Sequence, residues 1–335
     1  MKLSAGKLPP GLLERRIFRH LGTRRKEVVV GPSIGVDGAA VRVGGRILVS
    51  SMDPITGAME QIGWLAVNIN ANDVATFGVR PAWFSSCLLF PEHATEAIVG
   101  TVCRQIDRAA RKLGMAVIGG HSEVTPGLTF PIAVGCCMGM TERGRYVTAG
   151  GAQPGDNLIL TKSAGMEGTA ILATDRRPLL AGSLGNSVVK KAAAFLRRIS
   201  VVEDALLAYG TGGVTAMHDP TEGGVANGIH EMADASKKGF RIFEEKIPIA
   251  EETGRICGFF RIDPLCLIAS GSLLIAAERN SSGKVVNILR KSGIAAAVIG
   301  SILSSQRKRR IVRRNGEEEE LVRPASDHLW RALER

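Results

Sequence analysis

Five short segments of the chain place acidic side chains among small residues, an arrangement that could bind a hard cation. The acids and their polar neighbours are Asp37, Asp53, the pair Asn72-Asp73, His121 and Glu123 after Gly119-Gly120, and Asp219. Oxygen ligands without paired Cys or His residues favour Mg²⁺. Enzymes commonly share Mg²⁺ with phosphates, and Gly-rich turns before helices offer N–H groups to phosphate. The pattern predicts a magnesium–phosphate site, although each Asp alone is also typical of a turn or N-cap, and His121 of a loop.

Asp73 is the most informative of these acids because of its place on a predicted helix. Segment 61–77 repeats apolar residues at the period of an amphipathic helix. Asp73 falls about 20° from the middle of that apolar stripe, and Asn72 precedes it. A buried carboxylate costs several kcal/mol unless it is hydrogen-bonded, paired or metal-bound. Two interpretations remain open, a metal ligand and an Asp satisfied by an Arg or a backbone N–H.

The elements predicted to position these residues fall into two groups. In the first half we predict strands at 27–30, 39–43, 46–51, 82–90, 115–118 and 131–140, and helices at 12–21, 61–77 and 94–113. In the second half we predict strands at 157–161, 273–277 and 296–303, and helices at 188–198, 201–209, 222–236, 283–291 and 327–333. Asp37 then lies at a strand entry, Asp53 at a strand exit and Gly119-Gly120 after a strand. This order indicates an α+β fold.

The length and composition set the broad class of the protein. Because 335 residues exceed one average core, we expect two domains. Turn-forming residues cluster at 150–156, which predicts domains at 1–150 and 151–335. Six cysteines without a C-x-x-C pair indicate buried free thiols. Residues 1–10 lack the apolar core of a signal peptide and no segment reads as a membrane span, so we expect a cytoplasmic protein with no membrane partner.

A net charge of +11 could indicate a protein that binds nucleic acid. The excess is concentrated near the two ends of the chain, and only 4% of the residues are aromatic and able to stack on bases. Asn315-Gly316 is a favoured two-residue hairpin turn. Folding there places Arg314 opposite Glu317 and Arg313 opposite Glu318 as ion pairs. We therefore favour a charged hairpin over a nucleic-acid-binding arm and expect no nucleic-acid partner.

The order of the motifs resembles the aminoimidazole ribonucleotide (AIR) synthetase superfamily, whose fold is called PurM-like. The Asp37 motif, Asp53, Asn72-Asp73, Gly119-Gly120 and the run Asp-Pro-Thr-Glu-Gly-Gly at 219–224 follow in the family's order. Segment 66–81 most resembles the hydrogenase-maturation branch, whose enzyme dehydrates a thiocarboxamide to a thiocyanate, and 244–249 and 262–265 continue that match. Segment 119–122 looks more like selenophosphate synthetase. The resemblance covers most of the chain, 31–302.

The resemblance implies a two-domain fold, with an N-terminal domain that dimerises through a mixed or antiparallel sheet and a second α+β domain. Members bind ATP with Mg²⁺ and use it to phosphorylate or activate a small acceptor. By role, the candidate residues are Asp37, Asp53, Asp73 and Asp219 for the metal; these four with Asn72, Gly119 and Gly120 for the nucleotide; His121 and Glu123 for catalysis; and Gly165, Glu167 and Gly168, in the turn 163–168, for a substrate phosphate or carboxylate.

Several positions depart from the enzymes of this superfamily. The hydrogenase-maturation enzyme ends in a tail whose cysteine carries the transferred group, whereas the last cysteine here is Cys266. Selenophosphate synthetase uses an N-terminal Cys or selenocysteine, whereas the first cysteine here is Cys87. Thiamine-monophosphate kinase has an acid where His121 stands, Gly38 replaces a common second acid, and Met52 a common Thr. We therefore expect the shared scaffold without thiocarboxamide dehydration.

Three functions remain open from the sequence. The first is a Mg²⁺–ATP-dependent homodimeric enzyme that phosphorylates or activates a small-molecule amide, carbonyl or phosphate acceptor. The second is a non-catalytic nucleotide-binding accessory protein that acts in hydrogenase maturation with a partner protein. The third, a nucleic-acid-binding protein, rests on charge alone and predicts steeply salt-dependent affinity. ATP turnover with a small acceptor would separate the first function from the second.

Overall fold

The computed structural model describes residues 6–56 and 59–334, and their contacts form two compact units. The N-terminal unit comprises Glu27–Gly31 and the described part of Asp37–Tyr146. The C-terminal unit comprises the described residues up to Lys26, Pro32–Val36 and 147–334. The domain boundary between 150 and 151 stays a prediction.

The described chain begins with one short helical segment. Helix α1 (Pro10–Leu12) continues directly as a π-helical turn over Leu13–Ile17, where the sequence predicts a helix at 12–21. Residues 1–5, on which the prediction about a signal peptide partly depends, lie outside the described residues. Within 6–56 and 59–334, no helix is both long and apolar enough to span a bilayer.

The N-terminal unit is a six-stranded sheet with two helices. Its elements are β1 Val28–Val30, β2 Ala39–Val43, β3 Arg46–Ile55, α2 Ile62–Thr76, β4 Pro81–Phe90, α3 Glu96–Leu113, β5 Ala116–Val124 and β6 Ile132–Glu142. The strand order is β1-β2-β3-β6-β4-β5. Neighbouring strands are antiparallel except for β4 and β5, which are parallel. This is the mixed sheet that the family resemblance implies.

Helix α2 is buried on every side, which corrects the prediction of an amphipathic helix at 61–77. All 15 of its residues are buried, because it packs between the sheet, mainly β3 and β6, and helix α3. The apolar stripe seen in the sequence is therefore only one of several buried faces. Asp73 shares its burial with the polar residues Asn68, Asn70 and Asn72. These four polar side chains of α2 are thus buried in the core of this unit.

Two strands extend further than the sequence predicts, and this changes where candidate residues lie. Strand β3 continues to Ile55, so Asp53 lies inside the strand and not at its exit. Strand β5 runs to Val124, so the candidate residues of 119–123 lie within it and not in a turn after it. Pairing with β6 and with β4 continues through these residues, and it overrides their low strand propensity.

The sheet face turned away from α2 is apolar and partly exposed. Along β6, buried residues alternate with half-buried ones that begin at Ile132 and face this side. Met52 on β3 pairs with the half-buried Cys136 on this face and is 65% exposed. On the edge strand β5, Val117 and Ile118 are 49% and 56% exposed. Every residue of β5 is exposed. The unit therefore presents an apolar face that ends in an exposed edge strand.

The C-terminal unit is built on a seven-stranded sheet. Its further elements are β7 Asn157–Thr161, α4 Met166–Asp175, α5 Arg177–Leu184, α6 Asn186–Ala193, α7 Val202–Gly210, β8 Val214–His218, α8 Gly224–Ser236, β9 Gly239–Phe243, α9 Glu251–Phe260, β10 Leu274–Ala277, α10 Arg279–Lys291, β11 Ala296–Leu303, β12 Arg309–Val312, β13 Glu318–Glu320 and α11 His328–Leu333. The strand order is β13-β12-β9-β11-β7-β10-β8. The sequence missed α5, β8, β9 and α9. Both units are α+β, as predicted.

The charged segment near the C-terminus forms the predicted hairpin, but its register differs by one residue. Gly316 has φ +87° and donates its N–H to the Arg313 carbonyl. The turn is therefore centred on 314–315 instead of 315–316. Arg313 consequently lies opposite Glu317 and not Glu318, and its N–H donates to the Glu317 carbonyl.

Two smaller predictions also need correction. The helix predicted at 327–333 begins one residue later, at His328, and its Trp330 side chain is 37% exposed, whereas Leu329 is buried. Asp327 caps this helix by accepting a hydrogen bond from Leu329 N at 2.7 Å. Of the six free cysteines, two are buried as predicted, three are half-buried, and Cys103 is exposed, because it lies outside the inner stripe of α3.

Candidate functional site

Asp73 is held at the contact between α2 and β3. Its carboxylate Oδ2 accepts a hydrogen bond from Ser51 Oγ at 2.5 Å, and the residue is only 3% exposed. Ser51 is buried on the face of β3 that packs against α2. The hydrogen bond offsets part of the cost of burying the carboxylate. It also fixes one oxygen of Asp73 in place.

Asn70, one turn before Asp73, fixes the backbone of Asp53. Asp53 N donates to Asn70 Oδ1 at 2.7 Å, and Asn70 Nδ2 donates to Asp53 O at 3.2 Å. A Cβ at Gly135 on β6 would lie 2.4 Å from Asn70 Nδ2, so this approach requires glycine there. The half-buried Asp53 side chain lies on the same face of β3 as Ser51, because successive side chains of a strand alternate and these two residues are two positions apart.

Asp37 lies two residues before β2, which pairs with β3 as Ala39↔Ser50. A Cβ at Gly38 would lie 2.8 Å from Ser50 O, which explains why no second acid stands at that position. The structure therefore brings Asp37, Asp53 and Asp73 to neighbouring elements of one unit.

The three carboxylates do not form a compact ligand set by themselves. Among the residues that the structure describes, Asp37, Asp53 and Asp73 are not a group whose ligand atoms all lie within 4.8 Å of one another. Mg²⁺ usually keeps several waters and takes only one or two carboxylates together with substrate phosphates. These three acids therefore do not make a dedicated protein cage for the ion.

His121 and Glu123 form an exposed pair on the edge strand. His121 Nε2 lies 3.1 Å from Glu123 Oε2, and Thr125 Oγ1 donates to Glu123 Oε1 at 2.8 Å. The hydrogen bond from Thr125, followed by that from His121, lowers the pKa of Glu123. Strand β5 lies three strands from β3, roughly 14 Å across the sheet. Within one chain, this pair is thus separate from Asp53 and Asp73.

Gly119 and Gly120 serve the pairing of β5 with β4. Both have φ +153°, which side chains rarely tolerate. A Cβ at Gly120 would lie 2.0 Å from Ser86 O on β4. Their assignment to the nucleotide stays a prediction, and Asn72, which is fully buried on α2, stays one as well.

In the C-terminal unit, Asp219 comes directly after His218 in the sequence. His218 belongs to a polar cluster with Glu231 and Lys7 that the sequence did not reveal. Asp219 is 1% exposed. Glu231 accepts from His218 Nε2 at 3.0 Å and pairs with Lys7 Nζ at 3.1 Å. Burial alone raises the pKa of Glu231, but the hydrogen bond with His218 and the charge of Lys7 outweigh it and lower the pKa to about 2. Glu231 lies on the buried side of α8, and an acid in that position is the one local sequence signal that could have identified it as a candidate. The sequence around Lys7 contains no such signal.

The predicted substrate turn at Gly165, Glu167 and Gly168 is tightly packed. Gly165 has φ +67° and precedes α4, and Gly168 N donates to Ile268 O at 3.0 Å. A Cβ at Gly168 would lie 2.4 Å from the Leu267 side chain. The turn is therefore in close contact with segment 267–268, and its role in binding substrate stays a prediction.

Glu167 is a buried acid near two other acids. It is 6% exposed, and its Oε2 has no hydrogen-bond partner among the described residues. Burial raises the pKa of Glu167 to about 7; a hydrogen bond with Ser270 opposes the shift, whereas the charges of Asp327 and Glu222 add to it. The Glu167 carboxyl thus keeps its proton to higher pH than an exposed Glu does.

We expect Glu167→Gln to stabilise the protein more at pH 8 than at pH 4.5. The folded carboxyl keeps its proton to higher pH than the unfolded one, so its contribution to the free energy of unfolding falls as pH rises from about 4.5 to about 7. Gln does not titrate, so the difference between variant and parent should change by up to about 3 kcal/mol. Urea unfolding at both pH values measures it, with the exposed Glu96→Gln as control. If the difference in free energy of unfolding between variant and parent does not change with pH, the raised pKa of Glu167 is wrong.

Comparison with known proteins gives matches over most of the chain. Residues 35–141 match the family model described as AIR synthase related protein, N-terminal domain, and 153–313 match that of the C-terminal domain. A putative hydrogenase expression/formation protein of Methanocaldococcus jannaschii is 28% identical over 306 residues, or 89% of this chain and 88% of that protein. Carbamoyl dehydratase HypE of Rhizobium leguminosarum bv. viciae is 29% identical over 279 residues, or 81% and 77%. The crystal structure of hydrogenase maturation protein HypE in complex with ATP shares the fold, with a TM-score of 0.74, 22% identity and 97% of each chain covered.

Proposed function

The chain belongs to the AIR synthase related protein family, and we propose that it is a Mg²⁺–ATP-dependent enzyme that phosphorylates or activates a small acceptor. The observation that carries this proposal is the contact between β3 and α2. There, Ser51 fixes the carboxylate of Asp73, and Asn70 fixes the backbone of Asp53. Two acids that the family resemblance assigns to the metal are thus held on adjacent elements.

In this proposal Asp53 and Asp73, with Asp37 before β2, hold Mg²⁺ on the phosphates of ATP. The ion would neutralise phosphate charge and polarise the transferred phosphoryl group. Because the three acids do not form a closed ligand set, phosphate and water oxygens would complete the coordination. Asn72 and the pair Gly119-Gly120 are proposed to lie along the nucleotide. A protein of this fold has been crystallised with ATP, so the fold accommodates the nucleotide.

The acceptor is proposed to be a small molecule with an amide, carbonyl or phosphate oxygen. One relative is named a carbamoyl dehydratase, and because a carbamoyl group is an amide, this name supports the amide class. His121 and Glu123 are proposed to contact this acceptor from β5, where both are solvent-accessible. Gly165, Glu167 and Gly168 are the proposed contacts in the C-terminal unit, where Glu167 at a pKa of about 7 could exchange a proton at neutral pH.

ATP turnover with a small acceptor tests the proposal. A thermal-shift series with ATP, ADP and AMP, with and without Mg²⁺, should show stabilisation that requires both ATP and the ion. Phosphate release should then be measured with a panel of small amides, carbamoyl compounds and phosphorylated metabolites. We expect at least one acceptor to raise phosphate release above the rate with ATP alone. Absence of ATP-dependent stabilisation would refute nucleotide binding, and stabilisation without turnover would refute the enzyme.

The alternative is a nucleotide-binding accessory protein that binds a partner protein in hydrogenase maturation. The relative from Methanocaldococcus jannaschii is named for hydrogenase expression or formation, which supports that setting. Under this alternative ATP binds without turnover, and a maturation partner co-purifies with the chain. A cytoplasmic location accompanies both functions as a prediction.

We further propose a homodimer formed through the N-terminal sheet, because its apolar face and the exposed edge strand β5 suit a partner surface. Sedimentation should give about 71 kDa, twice the chain mass of 35.6 kDa. Val117→Asp with Ile118→Asp should shift the protein towards monomer, because both side chains are about half exposed on β5. Val322→Asp, an exposed change in the C-terminal unit, is the control. A parent that is monomeric at micromolar concentration would contradict the dimer.

A further inference from the structure

A cavity of about 660 Å³ lies in the C-terminal unit, where α4, α6 and α9 meet. The basic residues Lys162, Lys191 and Arg198 line it, together with the apolar side chains Phe195 and Ile249. The sequence pointed to the neighbouring turn at 165–168, but that turn is closely packed against 267–268. The open space lies beside Lys162 and Ser163 instead.

Lys162 is fixed at the base of this cavity. Its Nζ donates to Ser200 O at 2.7 Å and pairs with Asp204 Oδ2 at 3.1 Å, and its side chain is only 8% exposed. An ammonium group has three N–H donors, so one is left beyond these two partners. The residue has φ +54°, a left-handed conformation that strains a non-glycine residue and tends to persist at functional sites.

The charges of Lys191 and Arg198 are not neutralised by an ion pair within the described residues. Lys191 and Arg198 are exposed, and their side chains make no hydrogen bond or ion pair with the other residues in 6–56 and 59–334. Burial lowers the pKa of Lys162, and the nearby charge of Arg198 lowers it further, against the opposing effect of Asp204. The cavity lining itself carries three basic side chains, Lys162, Lys191 and Arg198, and one acidic side chain, Glu252. Asp204 and Glu203 act on Lys162 from outside the lining. The balance favours a bound anion.

The backbone before helix α9 also favours an anion in this cavity. Residues 248–250, which precede α9, line the cavity. The N-cap of this ten-residue helix, Ala250, offers no side chain to the free N–H groups of the first turn. The apolar side chains of Phe195 and Ile249 would cover a carbon group of the ligand.

We propose that this cavity binds a small organic anion, a phosphate or a carboxylate joined to an apolar group. Lys162 would fix one anionic oxygen from the base of the cavity, and Arg198 and Lys191 would bind it from the rim. This site goes beyond the proposed ATP-dependent function, because all of its residues belong to the C-terminal unit and binding needs no nucleotide.

Isothermal titration of the full chain, without ATP, tests the site with phenyl phosphate, benzoate and inorganic phosphate. We expect phenyl phosphate or benzoate to bind with a dissociation constant in the millimolar range or below, and the tighter of the two identifies the anion. The double variant Lys191→Ala with Arg198→Ala should weaken that binding at least about tenfold. Glu252→Gln should strengthen it, because the substitution removes a negative charge from the lining.

Lys190→Ala is the matched control, since it removes the same charge from the same helix outside the cavity lining. It should leave the dissociation constant within about twofold. Lys191 and Arg198 are exposed, so both variants should retain the parent's thermal unfolding temperature. The site is refuted if no probe binds at about 10 mM, or if the double variant binds as well as Lys190→Ala.

Discussion

Asp204→Ala should lower the free energy of unfolding by about 3–5 kcal/mol, because it leaves the buried Lys162 ammonium without its counter-charge. The two side chains are 8% and 3% exposed, and Nζ lies 3.1 Å from Oδ2. The other carboxylate oxygen accepts a hydrogen bond from Thr161 Oγ1 at 2.7 Å. The substitution therefore also leaves a buried hydroxyl without this acceptor. Urea unfolding at neutral pH measures the loss.

Two further variants show whether the loss comes from the buried pair. Glu203→Ala, the adjacent exposed acid on α7, should cost less than about 1 kcal/mol. Lys162→Met combined with Asp204→Leu should cost less than Asp204→Ala alone, since replacing both ions by apolar groups removes the uncompensated charge. If the double variant is the least stable of the three, the pair contributes through something other than charge compensation.

Asp73→Asn should raise the dissociation constant for Mg²⁺–ATP by at least about 100-fold, which corresponds to about 2.7 kcal/mol. The amide keeps the shape of the carboxylate and can still accept the hydrogen bond from Ser51, but it carries no charge for the ion. The fold should therefore persist while metal-dependent affinity is lost. Calorimetric titration with ATP in the presence and absence of Mg²⁺ separates the two effects.

The control for this variant is Asp107→Asn, which makes the same chemical change in the same unit. Asp107 is exposed on α3 and pairs with Arg111 at 2.9 Å. Its replacement should not change the affinity for Mg²⁺–ATP. An Asp73→Asn protein that binds Mg²⁺–ATP as the parent does would overturn the assignment of the metal, and with it the proposed function.

Short apolar strands and their turns could be read from the sequence. The bounds of β7 and β11 agree with the predicted 157–161 and 296–303, because buried strands are apolar runs that end at turn residues. The faces of α2 could not be read in this way. Periodicity finds the face that packs on the sheet, but α3 covers the other side, and that contact is made only in the folded chain.

The candidate site was predictable to a similar extent. Asp73 was marked by its position among apolar residues, and the structure shows the hydrogen bond that explains its burial. The contact between Lys7 and Glu231 was not predictable, because it joins residues 224 positions apart. The extension of β5 through 119–123 depends on pairing with β4, which no local propensity reveals. Single-residue chemistry was thus visible in the sequence, whereas its long-range partners were not.

The contact of Lys7 with α8 also has a consequence for synthesis of the chain on the ribosome. The described residues up to Lys26 and Pro32–Val36 pack in the C-terminal unit, so the N-terminal unit is inserted into it. Asp37–Tyr146 can collapse as soon as it emerges, whereas the segment around Lys7 must wait until Glu231 has been translated. Proteases acting on nascent chains should therefore remove the leading segment first, and they should lose access to it only after α8 has left the exit tunnel.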